Sequence, residues 1–264
     1  MGPFTDIGVE RNGHVTLVEI RRPPNNFFDV ALIKEIGAVF EALDDDAECR
    51  ALVLAAQGKA FCAGANLGDD SVVEHDRGRP DARSPRVATL YIEANRLFRT
   101  KKPIVAAVHG AAVGGGLGLS MVADFRVTCP EARFSANFTR LGFHPGFGLT
   151  VTLPAVIGPT KAALMFYTSR RVPGDEAYAI GLADVLVAQD QVRTASLSLA
   201  AEIAENSPLG LIATRATLRG NLADRVREAT ERELAEQNRL RMTDDFKEGV
   251  KAMAERRMPN FTNR

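Results

Sequence analysis

Two hydrophobic periods alternate along the chain. Residues 15–20, Val-Thr-Leu-Val-Glu-Ile, alternate as a strand does, and Pro23-Pro24-Asn25-Asn26 ends the run. Asp29 then stands as an N-cap before residues 30–40, whose apolar positions recur at helical spacing. Asp44-Asp45-Asp46 closes that helix as a solvated turn. Residues 52–56 predict a short strand that runs into a glycine-containing loop over 58–67. Residues 68–85 are polar, charged and poor in aliphatics, which predicts a mobile surface segment placed where a lid would be. Residues 87–98 predict a helix. The apolar run after Pro103 reads as a buried strand, Gly114-Gly115-Gly116 as a turn, and the apolar run after it as a buried helix ending at Asp124. Two short strands are predicted over 125–129 and 133–138 around Pro130, then a third glycine-rich loop over 141–148. Helical stretches follow, broken at Gly158-Pro159 and Pro173-Gly174, with a late strand over 183–187. Ser207-Pro208 fits an N-cap followed by proline at the first helical position, and residues 222–240 form a long, charge-laced helix. Strands alternating with helices imply an α/β fold. The simplest division is a core over 1–200 and a helical region over 201–264, working as one unit.

The triple glycine carries the first chemical signal. A strand-turn-helix leaves the first helical N–H groups without internal partners, and glycine lets an oxygen approach them closely. A purely structural turn fits these residues equally well. A dinucleotide fingerprint does not: Gly114 and Gly116 are followed by Leu119 instead of a third glycine, and Asp124 comes too early. A nucleophile elbow fails because Gly118-Leu119-Ser120-Met121-Val122 lacks its last glycine, and phosphate-binding Walker spacing is absent.

Composition narrows the field. The 264 residues are 45% hydrophobic, enough for one sizeable core. Lys plus Arg equals Asp plus Glu at 33 each, so no global field draws nucleic acid or an anionic membrane. No run approaches the ~20 apolar residues of a membrane span, and the first residues lack a signal pattern, so a cytoplasmic protein is expected. Cys49, Cys62 and Cys129 are odd in number and form no C-x-x-C pair, which suggests neither a disulfide framework nor a metal site. Cys62 lies beside the first glycine loop, where a nucleophile and a small buried hydrophobe are the two readings.

Four stretches in order then point one way. Ala60-Phe61-Cys62-Ala63-Gly64-Ala65-Asn66-Leu67 and the later Ala111-Ala112-Val113-Gly114-Gly115-Gly116-Leu117-Gly118 resemble the crotonase (enoyl-CoA hydratase/isomerase) superfamily. Residues 20–27 are similar to its first strand and loop, and 244–261 to its last helix. The resemblance implies a crotonase-type spiral of β-β-α units with a C-terminal helical region, usually assembled as trimers or dimers of trimers. It implies an acyl-CoA thioester as ligand, with no cofactor beyond the CoA moiety and no metal. Carried over by position, the thioester oxygen would be held by the N–H groups of Ala65 and Gly115. CoA would lie against Asn26, Phe27, Ala63, Asn66 and Leu67, with Arg256 at its phosphates; Arg21, Arg22 and Arg257 are further candidates. Phe27, Phe28, Phe138, Phe143 and Phe147 are candidates for an acyl pocket.

The acid/base half of the family's machinery is missing. Hydratases of this resemblance use two glutamates, at the positions held here by Gly118 and Phe138, and neither residue transfers a proton. His144, in the third glycine-rich loop, is the candidate replacement because imidazole works near neutral pH. For His109 a structural role is expected, for Asp124 a local cap or pair, and for Asp69, Asp70, Glu74 and His75 a solvated surface. The expectation is an acyl-CoA lyase or isomerase that stabilises a thioester enolate. Decarboxylation or C–C cleavage suits it better than hydration; a non-catalytic acyl-CoA-binding subunit is the alternative.

Overall fold

The computed structural model describes residues 4–66 and 89–264. The segment read as a lid, with Asp69, Asp70, Glu74 and His75, lies outside the described residues, and so does Leu67.

Two sheets organise the chain. The larger has six strands in the order β1 (Ile7–Asn12), β2 (Val15–Ile20), β3 (Ala51–Ala56), β5 (Ile104–Val108), β7 (Phe125–Thr128) and β10 (Val185–Leu186). The smaller has four: β4 (Ala60–Cys62), β6 (Ala111–Val113), β8 (Arg133–Ser135) and β9 (Arg171–Pro173). From β2 to β10 every pairing in the large sheet is parallel, and β2, β3 and β5 are buried along their whole length. Strands covered on both faces read as continuous apolar runs, which is how β3 and β5 were visible in the sequence, whereas β2 showed through its alternation and buries Thr16 and Glu19 as well. The edge strand β1 was not: Glu10, Arg11 and Asn12 are exposed and interrupt its pattern.

Three times the chain enters the large sheet, crosses to the small one and then turns helical. β3 leads to β4, β5 to β6, and β7 to β8. This is the β-β-α spiral. The crossing between β5 and β6 corrects the single strand read from the sequence. His109-Gly110 ends one strand and leads into another, and Gly110 lies so close to the first glycine loop that a Cβ there would collide with the Lys59 carbonyl. Both strands are apolar, so periodicity has nothing to separate them.

Helix α1 (Val30–Asp44) starts where expected, with Asp29 Oδ1 accepting from the Leu32 N–H at 2.9 Å. It buries Leu32, Ile33, Ile36, Val39, Phe40 and Leu43. Asp44 is no solvated turn residue: its half-buried carboxylate accepts from the N–H groups of Lys101 and Lys102. Asp46 pairs with Arg11.

The C-terminal region consists of α8 (Pro208–Arg219), α9 (Leu222–Leu240) and α10 (Asp244–Ala254). Ser207 caps the first, accepting from the Gly210 N–H at 3.3 Å. Asp124 binds this region to the sheet, which replaces the local role expected of it. It accepts from the Ile104 N–H at 2.8 Å and pairs with Arg215 at 2.9 Å and Arg219 at 3.0 Å. No helix among the described residues is long and apolar enough to cross a membrane.

Candidate functional site

Two glycine loops meet at the ends of β4 and β6. Gly64 (φ +89°) and Gly114 (φ +57°) both take backbone conformations that disfavour any side chain. A Cβ on Gly64 would lie 2.8 Å from the Val113 carbonyl and 3.8 Å from the Gly115 nitrogen, so the loops lie edge to edge. The first loop is held by the Phe28 N–H donating to the Gly64 carbonyl at 3.0 Å and the Ala63 N–H to Asn25 at 3.0 Å. The second is held by the Gly114 N–H donating to Ser135 at 2.8 Å. Gly115 opens helix α3 (Gly115–Ser120) and has no acceptor within it. Among the described residues neither the Ala65 nor the Gly115 N–H is assigned an acceptor, and both residues are half-buried. A cleft of about 250 Å³ opens beside Ala65, lined by Arg22, Phe27, Phe28, Asp29 and Asn66.

Aromatic rings fill the other side. Phe28 covers Gly115 so closely that a Cβ there would collide with its ring. A Cβ on Gly118 would lie 2.6 Å from Phe147 Cβ and 2.8 Å from its Cγ, so that position has no room for a carboxylate. The Phe138 ring reaches to 3.8 Å from where a Cβ on Gly114 would sit. Phe147 packs on Phe28 at 5.7 Å and on Phe98 at 6.5 Å between ring centres. The five phenylalanines grouped in the sequence therefore separate. Phe28, Phe138 and Phe147 surround Gly114 to Gly118, Phe27 lines the cleft together with Phe28, and Phe143 turns away to Phe246 at 5.0 Å, with Arg241 over its ring.

A family model for enoyl-CoA hydratase/isomerase matches residues 10–264. The chain belongs to the enoyl-CoA hydratase/isomerase family. It is 34% identical to an enoyl-CoA isomerase/hydratase of Zymoseptoria tritici, covering 99% of this chain and 88% of that one. It is 29% identical to a short-chain-enoyl-CoA hydratase of Clostridium acetobutylicum over 99% of each. Among solved structures, carnitinyl-CoA hydratase from Mycobacterium avium superposes with a TM-score of 0.84 at 30% identity, over 98% of this chain and 99% of that one. An acyl-CoA-processing enzyme of the enoyl-CoA hydratase/isomerase family is thus the frame for its remaining residues.

Several residues singled out in the sequence serve the fold of this family member. Asn26 is fully buried, donating to the Gln57 and Ala60 carbonyls at 2.5 and 2.7 Å and accepting from the Arg22 N–H at 3.0 Å. Its side chain braces the loop from beneath, which leaves none of it open to a ligand. His109 Nε2 lies 3.0 Å from the Gly58 carbonyl, a structural contact. Arg22 is held by Asp6 and Asp29, Arg21 by Glu19, and Arg257 by Glu248 and Glu255. Arg256 is exposed and has no ion pair among the described residues. Ala63 and Asn66 are half-buried, and Asn66 lines the cleft. The nucleophile reading of Cys62 fails: burial pushes its thiol up to about 12, and thiolate is the reactive form. Cys49 and Cys129 are buried as well. Native protein is therefore expected to leave all three cysteines unreacted with a thiol reagent such as DTNB and to expose them only on unfolding. Rapid titration of Cys62 in the folded protein would contradict this.

The residues that sequence reasoning missed hold the third loop. Gln237 Nε2 donates to the His144 carbonyl at 3.0 Å, and the Tyr91 hydroxyl donates to Gln237 Oε1 at 2.8 Å while facing the Phe147 N–H. Glu233 accepts from the Gly148 N–H at 2.8 Å, the Thr150 N–H at 3.1 Å and the Thr150 hydroxyl at 2.6 Å. Burial pushes the Glu233 carboxyl upward, and these donors oppose the shift. Between them Phe147 is held at φ +62°, a left-handed conformation that costs a non-glycine residue roughly 1–2 kcal/mol. Val226, Thr230, Glu233 and Gln237 form the buried stripe of α9 at spacings of four, three and four. Only one of them is apolar, so the hydrophobic pattern did not reveal which face of this helix turns inward. His144 Nδ1 lies 2.8 Å from the Pro145 carbonyl. A carbonyl only accepts, so this contact places the ring proton on Nδ1 and leaves the Nε2 lone pair free of it.

Proposed function

We propose that this protein binds an acyl-CoA thioester with its carbonyl oxygen on the Ala65 and Gly115 N–H groups and catalyses decarboxylation or C–C cleavage at the thioester's α-carbon. The observation that carries the reading is the pairing of two loops, whose Ala65 and Gly115 amides have no acceptor among the described residues, with positions 118 and 138 that hold no proton carrier. Hydration requires a side chain to deprotonate water, and Gly118 under Phe147 and the buried Phe138 supply none. Decarboxylation asks for less. The bond from the α-carbon to the carboxylate breaks, its electron pair passes into the thioester as an enolate, and CO2 leaves. Two N–H donors stabilise the enolate oxygen, and the α-carbon then takes up a proton.

His144 is our candidate for delivering that proton. The Nδ1 contact with the Pro145 carbonyl fixes the ring's orientation and leaves Nε2 as the atom that would hand over the proton. His144→Ala is expected to slow turnover by about 10²-fold or more with CoA-ester affinity retained. An unchanged rate would assign the proton to water.

Mass spectrometry of malonyl-, β-keto-, enoyl- and aryl-CoA thioesters incubated with the protein tests the reading directly. Loss of CO2 or chain cleavage is the expected result. Gain of one water on an enoyl-CoA, the reaction named for the Clostridium acetobutylicum relative, would overturn it. The filled positions 118 and 138 equally suit a non-catalytic acyl-CoA-binding subunit, which binding without any product would establish. Assembly as a trimer or a pair of trimers belongs to this proposal; exposed apolar side chains such as Tyr167, Leu209 and Leu218 are available to bury in it.

A further inference from the structure

Phe147 occupies a backbone position where glycine would sit without strain. A non-glycine residue in the left-handed region persists where its surroundings over-determine it, and such outliers point to function. Here the surroundings are named. Glu233 grips the next residue's N–H, Gln237 grips the His144 carbonyl, and the Tyr91 hydroxyl faces the Phe147 N–H itself. The clamp aims the ring at one place. It takes the space a side chain on Gly118 would use and reaches to 3.6 Å from where a Cβ on Gly115 would sit. Phe28 is the facing ring, and Phe138 closes the Gly114 side. All three are at most 7% exposed, so the space past the paired loops is filled with protein.

We propose that Phe147 determines acyl selectivity, restricting the site to short acyl groups by filling the volume into which a longer chain would extend. Phe28 is tied to the Ala65 loop through its backbone, and Phe138 leads into the turn Thr139–Leu141. Phe147 is the ring whose placement comes at a conformational cost, and the Gly118 opposite it has no side chain to contest the space. The inference rests on the acyl-CoA reading of the same site.

The test uses binding of saturated acyl-CoA esters, which this chemistry does not consume, by titration calorimetry on the full chain. Acetyl- and butyryl-CoA are expected to bind the native protein, with octanoyl-CoA at least ~10-fold weaker, since a well-packed pocket discriminates by about that factor per misfit methylene. Phe147→Gly, which suits the left-handed backbone, is expected to raise octanoyl-CoA affinity by about 10-fold or more while leaving acetyl-CoA unimproved. Phe147→Ala removes the ring without loosening the backbone and should shift the ranking in the same direction; it serves if the glycine variant melts early. A chain-length ranking unchanged in a folded variant, or a native preference for octanoyl-CoA, overturns the inference and leaves the acyl-CoA reading standing. No binding of any ester by the native protein would overturn that reading itself, and this inference with it.

Discussion

Phe28→Ala/Gly115→Pro is expected to turn over an acyl-CoA ester about 10²–10³-fold more slowly than Phe28→Ala alone, the loss that follows from removing one of the two proposed oxyanion donors. Proline lacks the N–H and fits the first position of a helix, which is where Gly115 stands, so the backbone of α3 should persist. The single Gly115→Pro variant would be misleading. Any Cβ at 115 runs into the Phe28 ring, and lost turnover would then report a displaced ring. Removing that ring from both proteins isolates the donor. The comparison belongs at a temperature where melting curves show both proteins folded, because Phe28 is buried and its loss is itself destabilising. A decrease in turnover with binding of the CoA ester retained supports transition-state stabilisation. Equal turnover in the two proteins would remove Gly115 from the mechanism.

Asp124→Ala is expected to destabilise the fold by about 3–5 kcal/mol, the range for breaking a buried ion pair from one side. Arg215 and Arg219 are 7% and 14% exposed, and the carboxylate between them also accepts from the Ile104 N–H. Burial already pulls the Arg219 guanidinium down to about 10, with Asp124 the chief opposing influence. The alanine variant leaves two cations and a backbone donor of β5 without their acceptor, while the neighbouring Arg126 keeps Asp184. Denaturant unfolding measures the change. A loss under ~1 kcal/mol would mean that water or a rearranged side chain takes over the carboxylate's place.

The Asp124 cluster marks one limit of what the letters reveal. Its partners lie 91 and 95 residues away, and an acidic residue at a helix end has commoner local uses. Glu233 marks another, since it sits on a helix whose exposed and buried faces are both polar. The division of residues 104–113 between two sheets is a third. Apolarity runs through both strands, and the change of sheet shows only in their partners, β3 and β7 for the first strand and β4 and β8 for the second.

What the sequence by itself determined is local or repeated along the chain. β2 was legible through its alternation, β3 and β5 as apolar runs, α1 through Asp29, α8 through Ser207-Pro208, and α9 end to end. The two glycine loops and the lack of a glutamate at 118 and 138 were likewise readable as letters, along with the family they resemble. The tertiary structure decided which side chains stand where. It turned Asn26 inward as a brace, sent Phe143 to the C-terminal helices, and set Phe147 over Gly118 through a clamp drawn from α9 and from α2 (Thr89–Leu97). The reason is physical. Periodicity and capping act within a few residues and leave their record in order along the chain. Occupancy of a shared space depends on which distant segments the fold presses together, and a single sequence carries no mark of that contact.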